Sequence, residues 1–347
     1  MEFQWKGLLN PNLIDIKLID YSEIKQWKPE NLSESEIDDG ESYHNSLYSD
    51  ENGINPRSWH LNSTKPLLDS VFEVVKDGDF IIDYGAGTGG SVVELTKRLE
   101  RLSLSCTIVL VDPLESWFYK AYNLLKNRPN IFFCRSLSKS AKGKSRFLSM
   151  QELIGSNKAD IILSSSTLHL IPSSTLEPLF FQFHDSLKEG GHFFWSSGDI
   201  SSEEVSKDCC LLHDPYRELL RVINESQEYF SWSDKLDKDT YSKLKKETSK
   251  VFPISNGINF FEKSLLNAGF KGKVKTDKIN KTFEESFLFM KSQRLSRIAG
   301  AINDIDYRNR FIKRKLEEVF SLLRKRGCAD FKGYNTFWHY GSFQKTA

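Results

Sequence analysis

Phe80-Ile81-Ile82-Asp83-Tyr84-Gly85-Ala86-Gly87-Thr88-Gly89-Gly90-Ser91 is the stretch that decides the fold. Three apolar residues run into an acid and then into a Gly-x-Gly-x-Gly turn. Beyond the turn, Val92, Val93, Leu95, Leu99 and Leu102 recur at helical spacing. The stretch therefore predicts a buried strand, a tight glycine loop and a helix. Glycine accepts positive φ and lets a ligand approach without meeting a Cβ. The loop amides and the helix N-terminus together form a polar cradle for a nucleotide-like ligand. The glycine spacing is not the Gly-x-Gly-x-x-Gly of dinucleotide binders.

Working outward, strand and helix patterns alternate. Thr107-Ile108-Val109-Leu110-Val111-Asp112 is a second apolar run ending in an acid, and such a run suits a parallel strand buried on both faces. Its terminal carboxylate can accept from two ribose hydroxyls, or cap a helix over Leu114 to Leu125. Asn130 to Cys134 reads as a third strand and Asp160 to Ser165 as a fourth. A helix over Thr175 to Leu187 stops at Lys188-Glu189-Gly190-Gly191, and His192 to Ser197 reads as a fifth strand. This alternation is the mark of a doubly wound parallel sheet.

The acid-then-glycine turn resembles motif I of the class I, Rossmann-like S-adenosylmethionine (SAM) dependent methyltransferases of the small-molecule type. Asp160 to Pro172 resembles their motif IV, and Lys188 to Gly191 their turn before the fifth strand. The resemblance covers residues 80 to 200. It implies an α/β fold with a doubly wound, mostly parallel seven-stranded sheet and added helical cap elements. It implies S-adenosyl-L-methionine as cofactor and S-adenosyl-L-homocysteine as product. Carried over by motif, the cofactor-binding residues are Asp83, Gly85, Ala86, Gly87, Gly89, Asp112, Pro113, Ser136, Ser164 and Ser165. Ser136 stands where the family commonly has an acid for the adenine amino group, so this sequence departs from the pattern there.

The implied activity is transfer of the sulfonium methyl to an O, N or C nucleophile of a small organic acceptor. Two other readings share the same motifs. One is a SAM-fold enzyme that uses the aminocarboxypropyl group, by transfer or by cyclisation with loss of methylthioadenosine. The other is a non-catalytic SAM-binding subunit, which the intact loop and Asp112 speak against. Candidate general bases are His169 beside motif IV, and His60, His213 or Asp199 from covering elements. Tyr43, Trp59 and Tyr216 are candidate acceptor-binding residues. Each of these side chains competes with a plain packing role.

Composition bounds the rest. Lys plus Arg (48) nearly equal Asp plus Glu (47), which argues against nucleic acid as the main partner. The sequence has no apolar run of membrane-spanning length and no signal-peptide pattern. Five cysteines without CxxC or zinc spacing read as reduced thiols, so a cytoplasmic biosynthetic enzyme without metal is expected. A homodimer is left open. The expected organisation is an N-terminal lid (1–60), the SAM-binding core (61–200) and a helical insertion capping the acceptor (201–252). A core helix and strand follow (253–282), then a second helical insertion (283–328) and a last core strand at the sheet edge (329–347).

Overall fold

The computed structural model describes residues 19–50, 53–55, 57–139, 145–201, 208–249, 251–253 and 255–346. The first 18 residues of the expected lid and residues 202–207 of the first insertion lie outside them. Seven strands form one sheet: β1 (Phe80–Tyr84), β2 (Thr107–Asp112), β3 (Ile131–Arg135), β4 (Ala159–Ser165), β5 (Leu187–Ser197), β6 (Phe270–Thr282) and β7 (Gly333–Lys345). Their spatial order is β6-β7-β5-β4-β1-β2-β3. Strands β1 to β5 pair in parallel, and β7 runs antiparallel to both β5 and β6. The doubly wound, mostly parallel seven-stranded sheet expected from the sequence is present.

Two details differ from the sequence reading. Strand β7 lies inside the sheet, and β6 takes the edge. An aromatic strand (Phe337, Trp338, Tyr340, Phe343) is stable between two neighbours, whereas the lysine-rich β6 suits an edge. The Lys188–Gly191 turn belongs to β5, whose pairing with β4 is irregular between Ala159 and Ile161.

Strand periodicity explains the layers. Alternate side chains point to opposite faces, and both faces are covered. Ile81, Ile108, Leu110, Ile161 and Leu163 enter one core with helices α2 (Trp59–Phe72), α3 (Gly90–Arg101) and α4 (Glu115–Leu125). Phe80, Ile82, Val109, Val111 and Ile162 enter the other with α5 (Ser173–Ser186) and a later helix at Ile258–Asn267. The order of strands reverses between β1 and β4, so their carboxyl ends open a crevice where an α/β sheet binds ligands.

Helix α1 (Glu34–Tyr48) covers that crevice. Ser33 and Glu36 start it with a reciprocal capping box. It lies against α4 so closely that a Cβ at Gly40 would overlap the Ser116 carbonyl. Asp39 accepts from Ser116 Oγ and Trp117 Nε1, each at 3.1 Å. Among the described residues, no helix is long and apolar enough to cross a membrane. All five cysteines are buried.

Candidate functional site

The glycine loop is held from below by β2. The amides of Gly85 and Ala86 donate to the Val111 carbonyl at 2.8 and 3.1 Å. Gly85, Gly87 and Gly89 all have positive φ, the conformation that favours glycine. A Cβ at Gly85 would overlap Thr167, whose hydroxyl donates to the Gly85 carbonyl at 2.9 Å. A Cβ at Gly87 would meet nothing within 4 Å. Gly87 is thus the point where the loop backbone faces open space.

Two carboxylates flank this point. Asp83 is buried at 1% exposure, and neither of its oxygens has a hydrogen-bond partner. Burial, with the Asp112 charge adding to it, pushes its carboxyl up to about 8. A buried acid with four free lone pairs is costly unless a cation meets it. Asp112 accepts from the Gly87 amide at 2.8 Å through one oxygen and from the Leu114 amide at 2.7 Å through the other. The capping contact considered from sequence is therefore real, and it coexists with contact to the loop. Each oxygen keeps a lone pair for a further donor. Burial lifts Asp112 to about 6 against those two amides.

The remaining motif-derived residues gather nearby. Ser136 is buried and its amide donates to the Asp112 carbonyl at 3.0 Å. Pro113 leaves β2 half-buried. Ser164 donates to the Tyr84 carbonyl at 2.8 Å, and Ser165 lies 3.5 Å from the Ser196 hydroxyl. Ser166 was not singled out from sequence, yet it takes positive φ (55°) and its buried hydroxyl has no partner. Strain of this kind in a non-glycine residue concentrates at functional sites.

The candidate bases divide into two groups. His169 and His213 come together, their ring centroids 5.2 Å apart. The Ser197 hydroxyl lies 2.8 Å from His169 Nδ1. Asp199 stands two residues past the end of β5, not on a covering element as expected. It is fully buried and accepts from both Arg217 terminal nitrogens, at 3.1 and 2.7 Å, and from Ser255 at 3.1 Å. His213 Nδ1 lies 3.2 Å from Asp199 Oδ2, within ion-pair reach but outside hydrogen-bond angles. Burial lowers His213 despite the opposing Asp199 charge, and burial lowers His169 to about 3. For Asp199, burial would raise the carboxyl, but His213 and Arg217 outweigh it and hold it well below the usual range. Both imidazoles are thus neutral near pH 7 beside an ionised carboxylate.

One ligand atom each from His169, Asp199 and His213 fit within 4.8 Å of one another. The Arg217 guanidinium already occupies Asp199. A divalent ion would add two charges beside that cation in a buried setting. The set suits proton handling better than metal binding.

His60 is apart from this pair. It lies against Tyr48 and Trp59, with centroids at 5.0 and 5.1 Å, and burial lowers it to about 3. Tyr43 stacks on Trp117 at 3.7 Å, and the Tyr216 hydroxyl donates to the Thr248 carbonyl at 3.2 Å. One ring links these pieces: Phe289 lies 6.1 Å from Tyr43, 6.3 Å from Trp59 and 6.2 Å from His213. It sits on α8 (Phe283–Met290), in a segment whose apolar stripe reads from sequence as core alone. Helix α1 meets the glycine loop directly, since His44 Nδ1 lies 2.9 Å from the Thr88 hydroxyl and a Cβ at Gly90 would overlap the Tyr48 ring.

Two surface cavities of about 370 and 410 Å³ lie elsewhere, one beside Pro29 and Tyr122, the other beside Glu73 and Lys188. Neither is lined by the glycine loop or by His60, His169 or His213. The unpartnered carboxylate and imidazoles mark the chemistry better than those volumes do.

No family model and no curated protein matches the sequence. Among solved structures, the chain is similar to a protein described as a sarcosine dimethylglycine methyltransferase from Galdieria sulphuraria, at 13% identity and a TM-score of 0.49, covering 86% of this chain and 92% of that one. It is also similar to a cyclopropane synthase from Mycobacterium tuberculosis, at 12% identity and a TM-score of 0.49, covering 90% and 95%. A third likeness is to the YcgJ protein from Bacillus subtilis, at 12% identity and a TM-score of 0.48, covering 83% and 100%. The fold assignment rests on the strand order itself.

Proposed function

We propose that this protein is a SAM-dependent methyltransferase acting on a small organic acceptor. The observation that carries the reading is Asp83: a buried carboxylate with both oxygens unpartnered, beside a glycine loop whose backbone faces open space at Gly87. The residues fit the cofactor. Asp83 would accept from its ammonium group, the Gly85–Gly89 backbone would lie along the methionine part, and Asp112 would accept from the ribose hydroxyls. Pro113 and Ser136 would border the nucleoside, and Ser164 to Thr167 the sulfonium end.

When bound, SAM would supply a methyl group carried on a positively charged sulfonium sulfur. The chain's share of the work is positioning and proton handling. Asp199 is fixed as a carboxylate by Arg217 and turns His213 Nδ1 toward itself, leaving Nε2 of His213 to take the acceptor's proton. His169, held at Ser197, packs at a tilt beside His213 and would fix that ring. The cofactor would supply the methyl and keep the electron pair of the broken carbon–sulfur bond, and His213 would take the acceptor's proton. Trp59, Tyr43, Phe252 and Phe289 would exclude water. His213 stacks on Phe252 at 3.6 Å, and Tyr216 meets the same ring edge-on at 5.0 Å.

Calorimetry with SAM and S-adenosylhomocysteine tests the binding, with micromolar affinity for both expected. Mass spectrometry of turnover products tests the chemistry. S-adenosylhomocysteine is the expected product; methylthioadenosine would assign the chain to aminocarboxypropyl chemistry instead.

A further inference from the structure

Lys281 ends β6 on the core side of the sheet and is only 1% exposed. Its Nζ lies 4.2 Å from the Trp59 ring centroid and 4.0 Å from that of Phe289. Among the described residues it has no hydrogen-bond acceptor. The nearby carboxylate of Glu285 is already engaged, one oxygen by the Trp59 amide and the other by the Thr282 amide, each at 2.9 Å. Burial pushes the Lys281 ammonium down to about 7 in spite of Glu285.

Three more nitrogens around the same indole are buried without partners: Trp59 Nε1, Trp338 Nε1 and His60 Nδ1. The Trp59 ring lies 5.8 Å from that of Trp338 and 5.1 Å from that of His60. An indole N–H and an ammonium donate and never accept. A buried donor left unpaired is costly, and this box gathers two indole N–H groups that make no hydrogen bond. The missing partner is an oxygen acceptor with negative charge.

The charge count narrows the ligand. The box holds one cation, and the next one, Arg217, is committed to Asp199. With the Glu285 carboxylate beside it, one buried ammonium can hold at most a monoanion, whereas a phosphate dianion would bring unmatched charge into an apolar site. The rings that wall the box continue through Phe289 to His213. We propose that Lys281, with the indole N–H groups of Trp59 and Trp338, binds the carboxylate of the methyl acceptor, which is therefore a small carboxylic acid with an apolar body. The proposal rests on the methyltransferase reading for the word acceptor, but the carboxylate site stands on its own geometry.

The test is calorimetry on the full chain with a panel of acetate, benzoate, phenylacetate and salicylate, each against its neutral amide, with S-adenosylhomocysteine titrated separately. At least one carboxylate is expected to bind at least 30-fold more tightly than its amide. Lys281→Met is expected to lose that binding 30-fold or more while S-adenosylhomocysteine affinity stays within twofold. Trp59→Phe keeps the ring, removes one donor, and should weaken the same carboxylate about tenfold, which covers the case that Lys281→Met does not fold. Carboxylate binding with no S-adenosylhomocysteine binding would overturn the methyltransferase reading and leave the site standing. Equal binding of acids and amides, no binding by any acid, or full binding retained in both variants would overturn the site.

Discussion

Asp83 sets stability against function. Its carboxyl is raised to about 8 in the fold, against ~3.9 when unfolded. The folded state then holds the proton more tightly, so the stability it contributes below pH ~4 is lost as pH rises toward 8. Asp83→Asn should therefore raise stability near pH 7, by up to ~4 kcal/mol on this linkage, while S-adenosylhomocysteine binding falls at least tenfold. Thermal melts and calorimetry check the two halves; weakened stability with intact binding would return Asp83 to a packing role. Asp112 is different because loop and helix amides already use it. Asp112→Ala should weaken cofactor binding by ~1.5–3 kcal/mol, the scale for hydrogen bonds to a charged group. At the proposed base, His213→Gln should lower kcat by ~10²–10⁴ with cofactor affinity unchanged. Because burial lowers His213, it is the neutral form that works, and wild-type turnover should stay level from pH 6 to 8 rather than fall below the ordinary imidazole value. A kcat within threefold of wild type would remove His213 from the chemistry.

At the scale of elements, α1 and α3 meet through one glycine. Gly90 has ordinary helical φ, so alanine fits its backbone, but the new Cβ would overlap the Tyr48 ring. Gly90→Ala should cost ~1–3 kcal/mol as overpacking and loosen α1 toward protease. Adding Tyr48→Leu should restore resistance, a coupling read by a double-mutant cycle; an independent sum of the two effects would show that Tyr48 does not seat the lid on the loop. The core elements were legible because each carries its own signal: β1, β2 and β4 are apolar runs, and the glycine loop has fixed spacing. His169 and His213 were legible as types, but their meeting was not. Beyond β5 the chain meets its own start again at Leu212, whose amide donates to the Gly198 carbonyl at 2.7 Å, and no local pattern announces that contact. Lys281 was invisible for a related reason. In Lys271 to Lys281 it is one lysine among several, and only the closure of α2 and α8 over the sheet makes it the buried one.

At the scale of the molecule, β7 ties the sheet together. Tyr334, Phe337, Trp338, Tyr340 and Phe343 are buried there, and the strand pairs on both sides. Removing residues 333–347 should abolish the cooperative thermal transition seen by circular dichroism, since β6 would lose the neighbour that joins it to the rest; a truncated chain that still melts sharply would show that the five parallel strands suffice. The alternation of strands and helices announced the parallel half of the sheet, but the reversal at β7 was not legible, because pairing between strands distant in sequence leaves no mark on either one. That reversal also imposes an order in time. β6 leaves the ribosome before β7, yet it joins the sheet only through β7, so it must wait as an unpaired lysine-rich ribbon while the parallel strands assemble. Its lysines keep the waiting ribbon from joining other chains. The binding box at Lys281 would then be the last part of the enzyme to mature, and a nascent chain could acquire its nucleotide cradle well before it acquires any choice of acceptor.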